Sequence, residues 1–261
     1  MKIEPKATFY GIVSGLPELT MDKPAVSELG NLTHAFSDFL SDSDKYLLML
    51  AYVPQDHKRL FQLMDNKEAA APPFCNFTDE QYRDYITNGA SLRVLPDFNS
   101  IFSPDQQRHK TEQRFHIAWV QQCLQAPNRL LQAYVQLQVA VHNDRIKGFR
   151  ESTGDDLSSH LLDREVIIQA LGTSELLEDN MSAWIHLNME NINKESSWEE
   201  REWQTDMLFW NWLNEQLFQH LFTIERLLVY AFQQQIAARW ASIKSEEKLD
   251  LHILVDEIIP V

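Results

Sequence analysis

The sequence predicts an all-α protein: a multi-helix array of long antiparallel helices behind an irregular or extended N-terminal segment. Three observations carry that expectation. Glycine is scarce, 7 of 261 residues, against an average near 7%. Nine of the ten prolines precede residue 128, and none lies between Asn128 and Ile259. The second half is therefore free of the strongest helix breaker. Finally, Ile224, Leu228, Phe232, Ile236 and Trp240 form an unbroken i, i+4 row, the apolar stripe of one long helix.

In chain order, residues 8–19 open apolar but are punctuated by Gly11, Gly15 and Pro17, which favours a short extended or irregular piece. Ser27 to Leu40 reads as a modest helix. Ser41 or Ser43 caps the next, with Asp42 and Asp44 in its first turn, where carboxylates suit the helix dipole. Pro54 is expected to stop that helix, with a new one over Gln55 to Asn66. Lys67 to Phe77 reads as a loop around Pro72-Pro73. Thr78 caps a short helix through Ile86, and Leu92 to Pro104 is an irregular crossing. Helices follow over Asp105 to Gln125, Asn128 to Gly148, Leu161 to Leu171 and Ser174 to Ile192. Trp203, Met207, Trp210, Leu213 and Leu217 make a second apolar stripe, so Trp203 to Trp240 reads as an antiparallel helix pair or one long bent helix. Lys248 to Ile259 is a last amphipathic helix. The expected division is a helical region with loops over residues 1–104 and a long-helix region over 105–261 packed on it.

The net charge of −15 and the lack of any basic run argue against nucleic acid and against an anionic lipid surface. Cys75 and Cys123 stand in unrelated contexts without CxxC spacing, the pattern of reduced cytosolic thiols. No apolar run approaches the length of a membrane span. Ser14 lacks the glycine spacing of a nucleophile elbow. No phosphate-binding glycine loop occurs, so no cofactor is expected.

His109, Glu112 and His116, at i, i+3 and i+7, share one helix face and could suit zinc or iron. Di-iron bundles need paired Glu-x-x-His motifs on facing helices, and this chain has none. The plainer reading is a solvated polar face, and no metal is expected.

The run MLFWNWLNEQLFQHLFTIERLLVYAFQQQIAARW resembles a family of uncharacterised bacterial proteins encoded beside V-type ATP synthase subunits. The family pattern is similar to W-x-W-L-x-E…F-x-x-F-T-I-E-R…A-Y…I-x-x-R-W. Here it reads Trp210, Trp212, Leu213, Glu215, Phe218, Phe222-Thr223-Ile224-Glu225-Arg226, Ile236 and Arg239-Trp240, with Val229-Tyr230-Ala231 in place of Ala-Tyr. Phe9 to Pro17 looks like the family's aromatic opening. The family in turn looks related to the C subunit of V-type ATPases, a helical connector between central stalk and membrane rotor. That subunit's hallmark would fall on Val139 to Asn143, where His142 stands in the usual place of Arg.

The resemblance implies a non-enzymatic, cytoplasmic subunit or accessory factor, held at the membrane only indirectly, with ATPase stalk and rotor subunits as partners. It singles out Trp210, Trp212, Glu215, Phe222, Glu225, Arg226, Arg239 and Trp240 as structural or partner-contact residues. Glu225 and Arg226 point about 100° apart on a helix and are each expected to pair across to another one. A metal-dependent helical-bundle enzyme and an unrelated helical adaptor are the alternative readings.

Overall fold

A computed structural model describes residues 9–21, 29–65, 67, 70–103, 108–153 and 179–258, with backbone alone for 149–153, 179–182 and 245–258. Among these residues the only regular secondary structure is helix, and no strand occurs. Its helices are α1 (Tyr10–Ser14), α2 (Leu32–Ala35), α3 (Asp42–Met64), α4 (Asp79–Asn88), α5 (Phe98–Ile101), α6 (Arg108–Gln125), α7 (Arg129–Thr153), α8 (Asp179–Asn193), α9 (Trp198–Gln216) and α10 (Ile224–Ile258). Their starts follow the capping chemistry of the sequence. Ser41 accepts from the Asp44 N–H, and Thr78 and Gln81 form a reciprocal capping box. Asn128 accepts from the Leu131 N–H at 2.9 Å at the head of α7. Gly89 ends α4 at φ +67, a left-handed position that favours glycine.

The central helix α3 corrects an expectation, because it runs straight through Pro54. Proline has no N–H for the Leu50 carbonyl four residues back, a defect worth about 3 kcal/mol in a helix interior. Side chains from elsewhere supply that turn. The Trp119 indole N–H of α6 donates to the Leu50 carbonyl at 2.8 Å. Gln235 of α10 donates to Ala51 O at 3.0 Å, and Asn76 to Met49 O at 2.9 Å. Each buried carbonyl that keeps a partner avoids roughly 1–3 kcal/mol of desolvation cost.

Two of the long helices, α6 and α10, pack directly on this spine. α6 packs on α3 and α7, α10 packs on α3, α9 and α7, and α8 joins α7 to α9. The buried apolar side chains form one cluster, from Met21 and Leu32 to Ala237 and Trp240, drawn from both predicted regions. The shorter helices α2 and α4 pack on α3, and α5 packs on α6. The segment ahead of α4 is fixed by buried polar groups. Asp56 of α3 accepts from Asn76 N, Asn76 Nδ2 and the Tyr82 hydroxyl, at 2.7, 2.6 and 2.5 Å. Asn31 donates to the carbonyls of Phe74 and Cys75.

Other boundaries shift for physical reasons. Residues 10–14 form a single helical turn rather than an extended piece, and of the Ser27 to Leu40 helix only Leu32–Ala35 is helical among the described residues. Gly148 interrupts nothing: α7 continues to Thr153. A side chain there would meet Asn193 Nδ2 at 2.4 Å and Cγ at 2.9 Å, so glycine is what lets α7 approach the end of α8. The acidic run Glu199 to Glu202 is the first turn of α9 behind the Ser197 cap. Lys248 to Ile258 is no separate helix but the continuation of α10. The expected helix over Leu161 to Leu171, and the Ser174 cap, lie outside the described residues.

Candidate functional site

The Trp203 to Trp240 stretch is an antiparallel pair, α9 and α10, joined by residues 217–223. Its register is visible in side-chain bonds. Gln233 donates to Asn214 at 2.8 Å near the turn, and Arg239 reaches Asp206 and Glu202 farther along. Of the eight residues singled out by the sequence, Arg239, Trp240, Trp210 and Trp212 lie in the body of the pair, whereas Glu215, Phe222, Glu225 and Arg226 lie at or beside its turn. The structure thus separates them into two groups.

In the body, Arg239 Nη1 donates to Asp206 Oδ2 at 2.9 Å and Nη2 donates to Glu202 Oε2. Glu202 also accepts from Arg145 of α7, so two guanidinium groups share it. The Trp240 indole N–H donates to Asp206 at 2.8 Å, and the ring stands edge-on to Trp203 at 4.9 Å. Both carboxylates are buried. Burial pushes Glu202 upward, but the Arg239 hydrogen bond and the charges of Arg145 and Arg239 outweigh it and leave the carboxyl below its ordinary value. Asp206 goes the other way: burial dominates and raises it, against the opposing pull of Arg239 and the Trp240 N–H.

Beside this network Tyr134 of α7 stacks on Phe232 at 3.9 Å and touches Phe209 and Trp212, each at 5.9 Å. Trp210 and Trp212 are buried. These residues hold three helices in register. A surface cleft of about 370 Å³ opens nearby, lined by Leu19, Thr20, Met21, Trp203, Met207 and Trp210, with no titratable side chain among them.

At the turn the arrangement differs. Glu215 is exposed. Glu225 accepts from Asn128 Nδ2 at 2.9 Å, so its cross-helix partner is a neutral amide beside the start of α7. His220 lies 3.9 Å from its other oxygen. Arg226 departs from expectation: among the described residues its guanidinium makes no hydrogen bond or ion pair. Burial pulls it below its ordinary value, and no carboxylate opposes the shift. Phe222 is half exposed and meets Tyr10 of α1 at 4.9 Å between ring centres.

The His109, Glu112, His116 face does not converge. Glu112 is held by Arg108 at 2.7 Å, His109 is exposed, and His116 turns inward against Trp119 and His142. Burial and the neighbouring His142 hold the His116 imidazole down at about 4. Among the described residues no group of three or more His, Cys, Asp or Glu is arranged to hold a metal ion. Both cysteines are free, and among the described residues no helix is long and apolar enough to cross a membrane.

Sequence reasoning missed Glu202, Asp206, Arg145 and Asn128. The signal for the first two was present: Glu202 and Asp206 stand four residues apart beside the Trp203, Met207, Trp210 stripe, so both fall at the edge of a buried face. Arg145 and Asn128 left no local trace, since their partners are 57 and 97 residues away.

No curated protein and no solved structure matches the chain. A family model described as "Protein of unknown function (DUF2764)" matches residues 6–258, nearly the whole length. The chain, with its ion-paired aromatic hairpin, belongs to that DUF2764 family.

Proposed function

We propose that this protein is a non-enzymatic subunit or accessory factor of a V-type ATPase, a connector similar to the C subunit between the central stalk and the membrane rotor. The observation that carries the reading is how the residues of the resemblance divide. Arg239, Trp240, Trp210 and Trp212 make a stiff, ion-paired junction of three helices, while Phe222 and its neighbours are held out at the end of the pair. A torque-bearing connector needs both properties, rigidity in the body and a presented surface, and it needs no reaction centre. Its partners are stalk and rotor subunits, it contacts the membrane only through them, and its place is the cytoplasmic side.

Affinity capture of the full chain from its own cells, with quantitative mass spectrometry, tests the role. Stalk and rotor subunits should be enriched together. Their absence above the level of an untagged control would overturn it. Elemental analysis of the same material should find no stoichiometric transition metal, and a full equivalent retained through chelation would revive the enzyme reading.

A further inference from the structure

The end of the α9–α10 pair is the most apolar exposed point among the described residues. Phe218 is 88% exposed, Leu221 61% and Tyr10 61%, with Phe222 beside them. Scattered exposed apolar residues are ordinary, but a contiguous group projected from a rigid support marks an interaction site. The support here is strong: the Glu225–Asn128 bond and the Gln233–Asn214 bond fix both sides of the turn.

Arg226 lies four residues beyond Phe222, in the first turn of α10. It stands without an acidic partner among the described residues in a chain that carries 38 acidic side chains against 23 basic ones. A partly desolvated guanidinium lacking a carboxylate is costly unless another molecule supplies one. We infer that Tyr10, Phe218, Leu221, Phe222 and Arg226 form a docking surface for a different protein, one that presents apolar side chains with an Asp or Glu placed to pair with Arg226. A second copy of this chain is disfavoured because two bodies of −15 repel. An anionic lipid surface is disfavoured for the same reason. The surface rests on the proposed docking role, since it names the part of the chain that would meet a partner.

The test places a photo-reactive phenylalanine analogue at Leu221 of the full-length protein in its own cells, with a control at exposed Phe39. Cross-linked peptides are then sequenced. The Leu221 probe should join a defined apolar segment of another protein that holds an acidic residue. Arg226→Glu should lower the yield about tenfold, the equivalent of roughly 1.4 kcal/mol, and changing the mapped acid to Lys should restore it. Arg226→Gln is a milder companion, and circular dichroism confirms that both variants fold. Cross-links to the same chain, to lipid, or at a yield indifferent to Arg226 would overturn the surface. The two proposals separate cleanly. A mapped and rescued partner outside the ATPase keeps the surface and removes the rotary role; ATPase subunits captured without any Leu221 cross-link do the reverse.

Discussion

Trp240 and Arg239 converge on the same atom, Asp206 Oδ2, from adjacent positions of α10. One carboxylate oxygen therefore satisfies a buried indole N–H and anchors a guanidinium. Removing it strands the buried indole N–H and leaves Arg239 with Glu202 alone, whereas removing either donor leaves the carboxylate a partner.

Asp206→Ala should accordingly destabilise the protein by about 1–3 kcal/mol, chiefly from the buried indole N–H left without an acceptor. Arg239→Ala should cost less, because Glu202 keeps Arg145 and Asp206 keeps Trp240. Asp206→Asn should fall between, since it retains an acceptor for the indole. Urea denaturation followed by far-ultraviolet circular dichroism ranks the three, and a cheaper Asp206→Ala than Arg239→Ala would contradict the arrangement.

The Trp119 indole stands in for the N–H that Pro54 lacks. Trp119→Phe removes the donor and should cost about 1–3 kcal/mol from the unpaired Leu50 carbonyl, besides any packing change. In a Pro54→Ala background the backbone N–H returns, so the same substitution should cost less by on the order of 1 kcal/mol. A double-mutant cycle measures this coupling, and strict additivity would count against the substitution of donors.

Asp56 gives a pH signature. Burial raises its carboxyl to about 7 in the folded protein, against the pull of Tyr82 and Asn76, from an ordinary value of 3.8. A folded value above the unfolded one means the contribution is fully present below pH 3.8 and is lost as pH rises through 7. His57 and His116 act oppositely. Burial, aided by neighbouring imidazoles, lowers them to about 3 and 4, so their contribution is lost as pH falls below 6.5. Comparison with Asp56→Asn isolates the carboxyl. The variant should gain on the wild type between pH 4 and 8 by roughly 1.4 kcal/mol per unit of the shift. Urea midpoints across that range provide the measurement, and a constant difference would refute the assignment.

Gly148→Ala should collide with the Asn193 side chain, and after the roughly 1 kcal/mol helix-propensity gain of alanine the net loss should be no more than about 1 kcal/mol. Asn193→Ala should relieve most of that loss when combined with it. Thermal melts of the two single variants and the pair decide the matter, with no rescue meaning that the strain lies elsewhere.

The features legible in the sequence were those set by near neighbours. The Thr78 cap, the cap read at Ser41 or Ser43 and found at Ser41, and the apolar stripes of α9 and α10 each require only a few residues of context, and each forms. The misreadings arose where distant groups intervene. Pro54 reads as a stop until Trp119 and Gln235 arrive from 69 and 184 residues away. Arg226 was expected to find a partner across the helices, and its neighbour Glu225 found an amide instead. For the candidate site, the sequence identified the correct hairpin but could not tell which of its residues turn inward. Trp240 and Arg226 carry equal weight in the motif, yet one is sealed in the core and the other is not.

The borrowed donors at the middle of α3 also constrain how the chain reaches its native state. A peptide spanning only 42–64 would have one main-chain oxygen, that of Leu50, with no helical donor four residues on, so it should be weakest at its centre. The missing bond is made good only when α6 brings the Trp119 indole to the Leu50 carbonyl. The longest-range contacts are then prerequisites for local order rather than its products, and assembly should be close to all-or-none.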